Sequence, residues 1–99
     1  MEDTDKLRNI AIKVDKILKD ELKKAGIKYT LAEARIYDIR AVGVQGDDRT
    51  YQYPAEIELR NDGEVIWDTK FTRNLSNRIT NEVKEVNKVL YVFATKKSN

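Results

Sequence analysis

The 99-residue sequence predicts a two-layer α+β domain, an antiparallel sheet with helices on one face, in the order α-β-β-β-α-β. Three observations carry this reading. The first 26 residues repeat apolar side chains at helical spacing. Alternating apolar and polar runs follow, separated by turn signals. A second helical stripe then precedes a final apolar run. Strands in sequence followed by a helix and one more strand give helices segregated to one side of a sheet.

Residues 4 to 25 read as the first helix. Leu7, Ile10, Val14, Ile17, Leu18 and Leu22 fall on one stripe, and lysines and acids fill the other side. Asp3 or Thr4 is placed to cap its start and Gly26 its end. Asp15, Asp20 and Glu21 interrupt the lysines between Lys13 and Lys24, the pattern of a solvated helix face rather than a basic patch.

Ala34 to Gly46 reads as the first strand. Its apolar residues Ile36, Tyr37, Ile39, Val42 and Val44 occupy both parities, which requires cover on both faces. Tyr51 to Arg60 alternates strictly, with Tyr53, Ala55, Ile57 and Leu59 on the core side and Pro54 marking an edge or a bulge. Asn61-Asp62-Gly63 is a hairpin turn signal. Glu64 to Phe71 is predicted as the return strand, with Val65, Trp67 and Phe71 on one face. A helix from about Arg73 to Glu85 follows, capped by Asn74 or Ser76, with Leu75, Ile79 and Val83 as its stripe and an Arg78–Glu82 ion pair. Asn87 to Thr95 is the last strand and is again apolar on both parities. One helical layer covers one face of such a sheet, so the second face is expected to meet another copy of the chain, as a homodimer. Tyr51, Tyr53, Trp67, Tyr91 and Phe93 are expected as core and sheet-face packing rather than as a base-stacking platform.

Composition narrows the function classes. The chain is 40% hydrophobic and 36% charged with a net charge of +2, so it forms one modest core and shows no strong bias toward nucleic acid. It has no cysteine and no histidine, which removes disulfides, thiolate chemistry, the commonest general base and the commonest metal ligand. No catalytic residue, metal site or cofactor is expected. No apolar run approaches the ~20 residues of a membrane span and the N-terminus is acidic, so a soluble, cytoplasmic protein is expected.

The most specific segment is Arg40-Ala41-Val42-Gly43-Val44-Gln45-Gly46-Asp47-Asp48-Arg49-Thr50-Tyr51. Its glycines permit a bend or a close approach, its aspartates favour turns, and Arg49 presents a planar charged fork. The string resembles the R-x-V-G-V-x-G-D-x-R-T-Y segment of the C-terminal dimerisation domain of glutamine-hydrolysing GMP synthase. Ser76-Asn77-Arg78-Ile79-Thr80-Asn81-Glu82-Val83, with Val86-Asn87-Lys88-Val89-Leu90-Tyr91 after it, is similar to that family's helix-then-strand pattern. Thr95-Lys96 sits where the family has S-K. There the family runs on into two prolines and an acidic tail with a tryptophan, where this sequence reads Lys97-Ser98-Asn99. The similarity covers roughly the last three-quarters of the chain, and is thin between Arg60 and Leu75.

Length and periodicity give a single domain over residues 1–99, with an N-terminal helix over 1–26 and an α+β core over 34–96, and its type is given by the resemblance. The resemblance implies a free-standing dimerisation module in purine nucleotide metabolism, and a site for the phosphate of xanthosine monophosphate or a similar purine monophosphate. Carried over by position, that site is Arg49 and Lys96, supported by the loop residues Gln45, Gly46 and Asp47. The alternative roles are local: Arg49 pairs with Asp47 or Asp48 to hold the turn, and Lys96 is solvated. These 99 residues hold neither the catalytic cysteine nor the glycine-rich phosphate loop of GMP synthesis, so the chain is not expected to be an enzyme by itself. A separate ATP-pyrophosphatase subunit of GMP synthase is an expected partner. Two rival functions remain. Gly43-Val44-Gln45-Gly46 has the G-x-x-G spacing of a KH-type RNA-binding loop, and the pattern equally suits a purely structural oligomerisation domain.

Overall fold

The computed structural model describes residues 2–37 and 52–94. They form α1 (Glu2–Ala25), β1 (Leu31–Ile36), β2 (Tyr53–Asn61), β3 (Glu64–Val65), α2 (Thr69–Glu82) and β4 (Val86–Tyr91), the expected order of an α+β fold. β2 is central. It pairs antiparallel with β1 (Ala34 opposite Ile57) and with β3 (Asn61 opposite Glu64). β4 lies on the β3 side and runs parallel to β2, with Ala55 opposite Val89 and Glu56 opposite Leu90. The sheet is therefore mixed at that edge, because α2 carries the chain back before β4 begins.

α1 ends as its sequence dictates. Gly26 adopts φ +67°, its N–H reaches Lys23 O at 3.2 Å, and the Ile27 N–H reaches Leu22 O at 3.1 Å. This is a Schellman cap, and Ile27 packs back on the core as that motif favours. The hairpin after β2 turns through Asp62 (φ 53°) and Gly63 (φ 83°), two consecutive left-handed residues, as the two-residue I′ loop requires.

Several boundaries depart from the sequence reading, among them the end of α2, at Glu82 rather than Glu85. The first strand occupies Leu31–Ile36 rather than starting at Ala34, and its expected continuation to Gly46 lies outside the described residues. The return strand is only Glu64–Val65, not Glu64 to Phe71. Asp68 ends it by capping α2: its carboxylate accepts the Phe71 N–H at 2.9 Å and its carbonyl the Thr72 N–H at 2.8 Å. α2 consequently starts at Thr69 instead of near Arg73, and Asp68 replaces Asn74 or Ser76 as the cap. Phe71 belongs to the helical series Phe71, Leu75, Ile79 and Val83, all buried. At the other end, β4 stops at Tyr91, short of Thr95.

The core lies between the helices and one sheet face. Ile10, Val14, Leu18 and Leu22 of α1 meet Tyr53, Ala55, Ile57 and Leu59 of β2 and the α2 stripe. Arg78 ties the helices together: it keeps the expected bond to Glu82 (2.8 Å), and its guanidinium also bonds Asp20 and, at 2.8 Å, Glu21 of α1. Arg78 first, then Lys24, holds the Asp20 carboxyl below the usual carboxylate range. On the opposite sheet face Arg60 first, then Arg35, does the same for Glu58.

Folding therefore favours the ionised form of both acids. Their contribution is complete above the ordinary carboxylate pKa and disappears as pH falls through the depressed native values. Urea midpoints are expected to stay level above about pH 5 and to fall below about pH 4. The Asp20→Asn, Glu58→Gln double variant should show a shallower acid slope, and an unchanged slope would remove these two groups as its source.

Candidate interaction face and anion site

The two faces of the sheet differ in chemistry because β-strand side chains alternate. Ala32, Ala34 and Ile36 of β1 pack on the core, leaving Glu33, Arg35 and Tyr37 outward. Register sets Glu33 opposite Glu58 and Arg35 opposite Glu56. Like charges facing across strands repel, and Arg35 relieves this by bridging three carboxylates: Glu56 at 2.8 Å, Glu58 at 2.7 Å and Glu33 at 2.5 Å. Arg60 adds a 2.8 Å bond to Glu58, and the Tyr37 hydroxyl donates to Glu56 at 2.8 Å. That last bond raises the Tyr37 pKa. The outward side of β1 thus carries the charged Glu33 and Arg35 between Leu31 and Tyr37; Ile39, Val42 and Val44, on which the expectation of two apolar faces also rests, lie outside the described residues.

β4 keeps the two-sided pattern. Val89 and Tyr91 lean toward the core, while Leu90, 43% exposed, stands on the outer face opposite Glu56. By alternation Leu90 and Val92 form a short apolar strip on the outer face beside the carboxylate–arginine network, with Lys88, opposite Pro54, before them.

On the helix side of the same strand the structure overturns another expectation. Tyr53 is buried as foreseen, but Trp67 is 52% and Phe93 60% exposed. With Tyr91 they form a three-ring cluster with centroids 5.1–5.7 Å apart, in edge and tilted contacts. The Tyr91 hydroxyl donates to Ile66 O, and burial pushes its pKa up to about 12. Trp67 is exposed because it immediately precedes the cap of α2 instead of lying on a strand. Phe93 is exposed because it lies beyond the end of β4. Parity identified their side of the sheet but not where α2 ceases to cover it.

Arg49, Gln45, Gly46, Asp47 and Lys96, the expected anion site, lie outside the described residues, as do Tyr51 and the G-x-x-G segment. The strands that lead to them are described. Tyr53 N–H bonds Glu85 O at 2.8 Å at one end of the β2–β4 ladder, and Val92 N–H bonds Ile57 O at 2.9 Å at the other. The chain thus enters β2 and leaves β4 at opposite ends. Among the described residues no cluster of three His, Cys, Asp or Glu side chains suits a metal ion, and no helix is long and apolar enough to cross a membrane.

These features define a class: a small α+β domain whose described sheet has one open face, part charged and part apolar. The chain belongs to the GMP synthase C terminal domain family, which it matches over residues 20–99. It is 42% identical over 101 residues to a glutamine-hydrolysing GMP synthase of Bradyrhizobium sp. (strain ORS 278), covering 94% of this chain and 19% of that protein. Similar enzymes of Synechocystis sp. and Exiguobacterium sibiricum are 41% and 38% identical, over 89% and 94% of this chain and 18% and 20% of theirs. The chain spans about a fifth of the length of these relatives. The similarity reaches further toward the N-terminus than the motifs alone indicate, into the last turns of α1.

Proposed function

We propose that residues 1–99 form a single, non-catalytic, cytoplasmic dimerisation module of GMP synthase type. Two copies pair across the outer sheet face at β4, and Arg49 and Lys96 hold the phosphate of a purine monophosphate such as xanthosine monophosphate. Gln45, Gly46 and Asp47 support that site. The module serves purine nucleotide metabolism as an accessory or regulatory part, with an ATP-pyrophosphatase subunit of GMP synthase as its partner. The observation that carries this reading is the family match over residues 20–99 against relatives of which the chain covers only a fifth. The exposed Leu90 strip supports the pairing surface.

Two charge-assisted contacts of ~1.5–3 kcal/mol each barely offset the several kcal/mol lost on association. The nucleotide should therefore bind at ~0.1–1 mM. A chemical-shift titration with xanthosine monophosphate tests it: resonances of Gln45 to Tyr51 and of Lys96 should move. Silence there at millimolar ligand would leave the second reading, a purely structural oligomerisation domain. That reading is favoured by one observation, the departure of the two flanking segments from opposite ends of the ladder.

A further inference from the structure

The exposed aromatic cluster of Trp67, Tyr91 and Phe93 is left without a role by the family reading. Trp67, Tyr91, Val89 and Leu75 line a cavity of about 250 Å³ beside α2. This lies below the ~300–1,000 Å³ of pockets for drug-sized ligands, so the space takes a flat ring system and leaves the rest of a ligand at its rim. Phe93, 5.1 Å from the Trp67 ring, extends the aromatic surface outside the cavity.

The polar groups around it set the charge of an occupant. The lining contains Arg73 and the hydroxyl residues Thr69, Thr72 and Ser76, and no carboxylate. Two of the three hydroxyls are spent on backbone carbonyls, Thr72 on Asp68 and Thr69, Ser76 on Arg73, which leaves that of Thr69 to a ligand. Asp68 next door is occupied in capping α2. Among the described residues Arg73 has no ion-pair partner, in contrast to Arg35 and Arg78, and the Trp67 indole N–H has no acceptor. A stacking surface, one unpaired guanidinium and one unpaired N–H together select a flat ring that accepts hydrogen bonds and carries an anionic group. Stacking on aromatic side chains tolerates any base, because every base has a π-face, and a guanidinium pairs with phosphate through its fork.

We propose that this cavity binds a free nucleoside monophosphate, its base against Trp67 and its phosphate on Arg73. The site is separate from Arg49 and Lys96 and shares no residue with them, so it stands or falls apart from the proposed function.

Trp67 is the single tryptophan of the chain, which makes its fluorescence a direct reporter. Adenosine monophosphate, titrated with excitation at the red edge of indole absorption, should quench it saturably with a midpoint of a few millimolar or tighter, on the order expected for one stacked ring and one ionic contact. Adenosine should bind about tenfold more weakly and ribose 5-phosphate should not quench, since each lacks one of the two contacts. Arg73→Gln, at an exposed position on α2, should reduce the nucleotide to the level of adenosine without changing the far-UV spectrum. Phe93→Ala should weaken both ligands, and Arg49→Ala should leave the quenching unchanged. The proposal is overturned by non-saturable quenching, by equal quenching of the Arg73→Gln variant, or by loss of quenching in Arg49→Ala. It is also overturned if a short single-stranded oligonucleotide quenches where the mononucleotide does not.

Discussion

Replacing Ile57 by alanine is expected to remove a large part of the stability of the fold. Ile57 is fully buried at the middle of β2, opposite Ala34 on one side and Tyr91 on the other, and it faces the helical layer. The truncation deletes three carbons where three elements meet, and a site enclosed on all sides cannot collapse to fill the gap. The cost for such Ile→Ala changes is ~2–5 kcal/mol, against a total of ~5–15 kcal/mol for a domain of this size. At ~4–8 °C per kcal/mol the midpoint of thermal unfolding should drop by about 10 °C or more. Leu90→Ala, on the outer face, is the control and should cost much less at a protein concentration where the chain is monomeric. Matching concentrations matter, because self-association adds apparent stability. A loss below about 1 kcal/mol for Ile57→Ala would contradict the placement of β2 at the centre of the core.

The second large effect is on ligand binding. Arg49→Ala should abolish binding of xanthosine monophosphate, and Arg49→Lys should weaken it markedly. An ammonium keeps the charge but loses the two parallel N–H donors that match a phosphate edge. Lys13→Ala, which removes an exposed bridge from α1 to Glu85, should change nothing. The nucleoside without its phosphate should not bind at this site. Equal affinity of Arg49→Ala and the parent chain would assign Arg49 to its turn, beside Asp47 and Asp48.

Where local chemistry determines structure, the sequence is legible. The α1 stripe, the Gly26 cap, the Asp62-Gly63 turn and the alternation of β2 all follow from periods and turn residues. Phe71 shows where local signals compete. It continues the strand parity of Val65 and Trp67, and it also begins the four-residue series Phe71, Leu75, Ile79 and Val83. The helix prevails because Asp68 caps it and because the longer series buries more apolar surface. The parallel pairing of β4 depends on the path of α2 over the sheet, which no local period encodes. The Arg35 network required register as well as parity: alternation places Glu33 and Glu58 on the polar face, but only the pairing sets them opposite each other with Arg35 between.

The candidate site was legible in a different way. Arg49 and Lys96 stand out through resemblance to the family rather than through spacing, and the described residues place only the strands that lead to them. Trp67 and Phe93 carried no signal that separated an exposed cluster from a core. Their exposure follows from where α2 begins and β4 ends, and both boundaries are tertiary.

The central claim is that this chain is a self-associating module whose partner surface is the outer sheet face at β4. Sedimentation velocity from low to high micromolar concentration tests it most directly, on the parent chain and on Leu90→Glu. A second copy covering the Leu90 strip in an interface of ordinary size buries roughly 800 Å² per partner, enough for a stable pair. The parent should sediment with twice the mass of the chain, and Leu90→Glu should sediment as a folded monomer with an unchanged far-UV spectrum. A parent chain that stays monomeric at high micromolar concentration, or a Leu90→Glu variant that remains a dimer, would contradict the account.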